Sequence, residues 1–149
     1  MSYERTQHAI WMWFLLIPIV AILAGSWFQS TSAAMLVPLA VVWIPIVLVL
    51  TIFTRLTIGV DANAVTWHFG WGWPGGAIAR GDIASAEVTR TNLFEGWGLH
   101  WTIWHGWLWN VGGFAAVEIS KSDGGRVTLG TDDPQGLLGA IERFRQGAA

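Results

Sequence analysis

The chain has 149 residues and no cysteine; 53% of its residues are hydrophobic, only 12% are charged, and its mean hydropathy is +0.47, against about 25% charged in an ordinary soluble domain. The missing cysteine excludes a disulfide framework, a thiolate nucleophile and any Cys-ligated zinc or iron–sulfur centre. A net charge of −2 and a pI near 6.0 offer no basic footprint for nucleic acid, which is excluded as a partner.

From the N-terminus, residues 1–8 form a short polar segment, and no Asp, Glu, Lys or Arg then occurs between Arg5 and Arg55. Two apolar runs fill that interval, 9–28 and 33–53, of 20 and 21 residues and broken only by Ser26 and Thr51. A helix needs about 20 apolar residues to cross a hydrocarbon core of about 30 Å, so the pair is expected to be a transmembrane helical hairpin. A cleaved signal peptide fits less well, because Glu4 sits beside Arg5 and the first run exceeds a signal's apolar stretch. Only Gln29 to Ser32 separate the runs, and Arg5 and Arg55 flank the open end. The positive-inside rule then predicts a multi-pass protein of the bacterial inner membrane with both termini cytoplasmic. Pro18, Pro38 and Pro45 lie within the runs, and the lack of ionisable groups there argues against a transporter or pump.

Beyond residue 53 the texture changes to short apolar and β-branched runs cut by Gly, Asp, Asn and Pro, the pattern of antiparallel strands. Strands are expected at 56–60, 65–69, 77–80, 84–90, 99–104, 114–120 and 126–129. Asp61-Ala62-Asn63, Pro74-Gly75-Gly76 and Ser122-Asp123-Gly124-Gly125 supply the turns. Asp132-Asp133-Pro134 then places a capping Asp before a Pro at the first helical position, with Leu137, Leu138, Ile141 and Phe144 at helical spacing on one face. The expected fold is thus a membrane protein in three parts. An N-terminal segment (1–8) and the hairpin (9–53) lead into a mainly-β domain (54–149) of about seven antiparallel strands and one C-terminal helix.

This plan resembles the bacterial PH-like (pleckstrin-homology-like) membrane proteins. The resemblance is carried in order by Leu56-Thr57-Ile58, Asp82-Ile83, Gly96-Trp97-Gly98, Ala116-Val117-Glu118-Ile119 and Gly130-Thr131-Asp132-Asp133-Pro134, and covers about residues 54–146. It implies a PH-like fold and a binding module for protein segments or lipid headgroups, and does not by itself fix a function. The loop between the first two expected strands departs from the phosphoinositide-binding pattern: Asp61-Ala62-Asn63-Ala64 has no Lys or Arg to hold a phosphate.

Chemical motifs are few. Gly70-x-Gly72-x-x-Gly75 follows a strand but leads through Trp71, Trp73 and Pro74 into another, so it lacks the helix N-terminus that a dinucleotide needs, and no nucleotide is expected. His68, His100 and His105 are too irregularly spaced for a metal set, and no serine–base constellation is present. The expectation is a protein that is not an enzyme and has no cofactor, with a His-based metal-dependent enzyme as the weakest alternative. Tryptophan is the exceptional feature: twelve in all, eight of them between Trp67 and Trp109. Trp67, Trp101 and Trp104, on expected strands, are read as core. Trp71 and Trp73 in one loop, with Leu93, Phe94 and Trp97 in another, are the candidate interface, against a protein partner or further copies of the chain, or alternatively against the bilayer.

Overall fold

A computed structural model describes residues 3–29, 33–92 and 98–147. Nine strands form two sheets. The first strand, β1 (Tyr3–His8), precedes the helical segment, and its partner β2 (Arg55–Val60) follows it. The two pair antiparallel from Tyr3↔Val60 to His8↔Arg55. Ala9 N–H donates to the Thr54 carbonyl at 2.7 Å, closing the ladder at the point where the helices leave it. β3 (Ala64–Phe69) and β4 (Gly75–Ala79) complete a four-stranded antiparallel meander in the order β1-β2-β3-β4.

A short 3-10 turn at Arg80–Asp82 leads into the second sheet. Its strands are β5 (Ile83–Arg90), β6 (Gly98–Thr102), β7 (Gly106–Asn110), β8 (Ala115–Lys121) and β9 (Arg126–Gly130), in the order β5-β8-β9-β7-β6. All its pairs are antiparallel except β7 with β9. The expectation of about seven antiparallel strands is therefore corrected to nine, one pair of them parallel. β1 and β7 are the additions. β1 reads as polar because it is an edge strand with Glu4, Arg5 and Gln7 in it, and β7 was absorbed into the loop after an overlong strand at 99–104.

Alternation explains the core. Leu56, Ile58 and Val60 of β2 and Val65, Trp67 and Phe69 of β3 point inward at period two. They meet Val117, Ile119, Val127, Leu129 and Trp109 of the second sheet. The rings of Phe53, Phe69, Trp109 and Trp67 run through this core in sequence, with centroids 4.8, 5.6 and 5.8 Å apart. The last helix, α3 (Pro134–Arg145), adds Leu137, Ala140, Ile141 and Phe144 to the same cluster. Asp133 caps it, accepting from Gly136 N–H at 3.0 Å. At about 2 kcal/mol for each fully buried aliphatic side chain, this shared core outweighs any single polar contact in the molecule.

The sheets are also tied by polar groups. Buried Gln7 donates from Nε2 to the Gly130 carbonyl at 2.7 Å. Arg5 forms a two-pronged pair with Asp132 at 3.0 and 2.9 Å, which holds the Asp132 carboxyl below the usual carboxylate range.

The helical segment overturns the largest sequence expectation. Residues 10–15 form a 3-10 turn, followed by α1 (Leu16–Gln29) and α2 (Ala33–Phe53). Among the described residues no helix is long and apolar enough to cross a membrane. The run 9–28 is divided: Ala9 is buried against the sheets, and the 14 residues of α1 rise only about 21 Å against a core of about 30 Å. The transmembrane hairpin, and with it the multi-pass inner-membrane placement with cytoplasmic termini, is corrected on this ground. What the structure shows is an apolar helical insertion within a β-hairpin. Its base, at Trp11, Met12, Ile52 and Phe53, packs on the core, while Ile17, Val20, Val41, Ile44 and Leu48 are exposed.

Candidate functional site

The turn between β3 and β4 is built from a sequence, Gly70-Trp71-Gly72-Trp73-Pro74, that leaves it little freedom. Gly70 has φ +51° and lies against the backbone of Ile52, where an added Cβ would stand 3.0 Å from the Ile52 carbonyl oxygen. Both the conformation and the space require glycine. Phe69 N–H donates to Pro74 O at 2.8 Å, Gly72 N–H to Phe69 O at 3.0 Å and Gly70 N–H to Arg55 O at 2.9 Å. The Arg55 guanidinium donates twice to Gly70 O, at 3.2 and 2.6 Å. On this tip Trp71 and Trp73 are 78% and 75% exposed. Leu93, Phe94 and Trp97, expected to share their surface, lie outside the described residues.

Trp67 is buried, but Trp101 and Trp104 are 61% and 71% exposed, which corrects their assignment to the core. The strand ends at Thr102, so Trp104 falls in the following turn. Trp101 shares a sheet face with core residue Trp109, but sits opposite Trp107 at the free corner of the outermost strand. With Ile103 and half-exposed Trp107 they make a second aromatic outcrop. Its turn is held by polar contacts rather than an apolar floor. His105 Nδ1 lies 2.9 Å from buried Glu118 Oε2, Thr128 Oγ1 donates to His105 O at 2.9 Å, and Arg126 donates to Trp104 O at 2.8 Å. Gly106, with φ +64°, has the Arg126 carbonyl where a Cβ would project.

The histidines do not converge. His105 is committed to Glu118, His68 Nδ1 lies 3.4 Å from Phe69 O, and His100 Nε2 is buried without a hydrogen-bond partner. Among the described residues no group of three or more His, Asp or Glu could hold a metal ion. Asp61, in the turn between β2 and β3, closes that turn by accepting from Asn63 and Ala64 N–H at 2.7 and 2.9 Å. These donors, Ala64 first, keep its carboxyl below the usual range, and its negative charge repels an anion. In the cleft below α3, Arg80 stacks on the Phe144 ring at 4.9 Å and Arg145 pairs with Glu142 at 2.9 Å. Both arginines there are occupied by structural partners. From the density of tryptophan, sequence reasoning singled out Trp71 and Trp73, which the structure places exposed on one turn. It missed the second outcrop, whose only signal was Trp-Thr-Ile-Trp-His-Gly read as strand instead of turn.

Comparison with protein-family models, with curated proteins and with solved structures finds no match to this chain.

Proposed function

We propose that the chain is a protein-interaction module, its β domain PH-like in plan, that docks a protein partner through Trp71 and Trp73. The PH-like reading is supported by two packed sheets followed by a C-terminal helix. The docking reading rests on one observation: two indoles more than three-quarters or about three-quarters exposed, on a turn whose backbone is fixed by glycine and five hydrogen bonds. Burying a Trp side chain removes roughly 150–250 Å² from water, a gross gain of about 4–6 kcal/mol at 25 cal/mol per Å². The fold leaves most of that gain unrealised at both rings, and a rigid turn makes it available to a partner at small entropic cost. A protein pocket suits this tip better than a lipid headgroup. Residues 70–76 contain no Lys or Arg, and the nearby Arg55 is engaged with Gly70.

A photoreactive amino acid placed at Trp73, in the full chain in its native cells, tests the reading. The expected result is one protein adduct of defined mass, absent when the same group is placed at Ala62. Adding unmodified chain should compete it away, whereas a Trp71→Ala, Trp73→Ala chain should compete roughly thirtyfold less well, the loss expected of an aromatic hot spot. Lipid adducts alone, or equal competition by the double variant, would remove the proposal.

A further inference from the structure

Strand edges show which surfaces a sheet protein guards, since an unpaired row of N–H and C=O groups invites another strand. Among the described residues the two sheets have four edges: β1, β4, β5 and β6. β1 carries Glu4 and Arg5, and Arg5 is tied to Asp132. β5 has a register irregularity between Ile83 and Ser85, carries Glu87 and Arg90, and gives its Ala84 carbonyl to Arg145 of α3. β4 is entered through Pro74, begins with two glycines and runs directly into Arg80. β6 has none of these devices: Gly98-Leu99-His100-Trp101-Thr102 contains no proline and no Asp, Glu, Lys or Arg, and its register with β7 is unbroken.

We propose that β6 is the pairing edge for a second copy of this chain, two protomers joining antiparallel about a twofold axis so that their second sheets become one. Charge and pattern both fit this occupant. A strand without Asp, Glu, Lys or Arg meets its own copy in any register without opposing like charges, whereas β1 and β5 avoid such opposition only in registers that set Glu opposite Arg. An antiparallel register centred on His100 sets Leu99 of each copy opposite Trp101 of the other, an apolar–aromatic pair on both sides of the axis. Trp101, 61% exposed in the protomer, is thereby covered. The same register places the two His100 positions opposite each other at the axis. This inference concerns the second sheet and does not rest on the Trp71–Trp73 reading.

The absence of cysteine makes the test clean. Single-cysteine variants His100→Cys, Glu4→Cys, Glu87→Cys and Val41→Cys of the full chain are exposed to mild oxidation and the covalent dimer is measured. At the centre of the proposed register the paired Cα atoms fall within disulfide reach. His100→Cys is therefore expected to give at least about tenfold more dimer than the Glu4 and Glu87 variants. Sedimentation of the cysteine-free Trp101→Lys chain, which puts a charge on the edge at an exposed position, should halve the mass while circular dichroism stays unchanged. Trp71→Ala with Trp73→Ala should leave the dimer intact. A monomeric parent chain overturns the proposal. So does dimer formation concentrated at Val41→Cys, or a dimer that Trp101→Lys does not dissociate, because each places the contact elsewhere.

Discussion

Tyr3 is the only tyrosine in the chain, which makes one residue's environment separately measurable. Its hydroxyl points at Asp133 Oδ2, 3.4 Å away, and partial burial together with that carboxylate pushes its pKa up to about 12 from 10.0. Burial is the larger cause, since it penalises the phenolate, and the Asp133 charge adds to it. An alkaline titration followed in the tyrosinate ultraviolet band should therefore show a single midpoint near 12. A midpoint at the ordinary value would mean that the β1 end is not docked on the α3 cap. The sign of the linkage follows: the unfolded chain ionises at the lower pH, so the stability Tyr3 contributes is fully present below about pH 10 and is lost as pH rises through the folded value. The second effect at this scale concerns Trp101 and Trp104. Residue type argued for burial and only position decided otherwise, so a large aromatic side chain by itself identified neither the core nor the surface.

At the scale of elements, the start of α3 was legible because its signals are local. Asp133 precedes Pro134, the apolar residues recur at helical spacing, and the observed cap bond to Gly136 is the one that sequence implies. The β8–β9 hairpin was legible for the same reason: Ser122 to Gly125 can only turn, and Gly125 N–H donates to Asp123 Oδ1 at 2.8 Å. β1 was not legible, because an edge strand shows only one buried face and its partner lies across the whole helical insertion. The cap can be separated from the charge it brings to Tyr3. Asp133→Asn preserves an N-cap acceptor and should leave the thermal midpoint within about a degree while lowering the Tyr3 titration midpoint. Asp133→Ala loses the cap as well, at a cost of about 1 kcal/mol, which for a chain of this length lowers the midpoint by roughly 3 °C. Equal destabilisation by both variants would show that the carboxylate acts on the helix through its charge rather than through the bond to Gly136.

At the scale of the whole molecule, the unexpected feature is where the apolar helices are placed. Hydropathy marks a continuous apolar interval but could not show that the chain makes a strand before leaving for the helices and another on return. The helical segment is therefore a loop, in topological terms, between paired residues His8 and Arg55. Two contributions then oppose each other if residues 10–53 are replaced by an Asn-Gly turn joining Ala9 to Thr54. Shortening the connection between β1 and β2 saves closure entropy of about 0.6 kcal/mol per doubling of length, on the order of 2–3 kcal/mol here. Against this stands the loss of the packed base, chiefly Phe53 on Phe69 and Trp11, whose Nε1 donates to Val111 O at 3.2 Å. Removing a well-packed aromatic side chain costs about 3–5 kcal/mol. With two such side chains lost, the loss exceeds the saving by a few kcal/mol, while the type I′ geometry of Asn-Gly matches the antiparallel ladder that His8 and Arg55 already form. The shortened chain is accordingly expected to retain its β circular dichroism and unfold cooperatively, a few kcal/mol less stable than the parent in denaturant titration. A shortened chain without cooperative unfolding would show that the base of the helices is part of the core rather than an insertion resting on it.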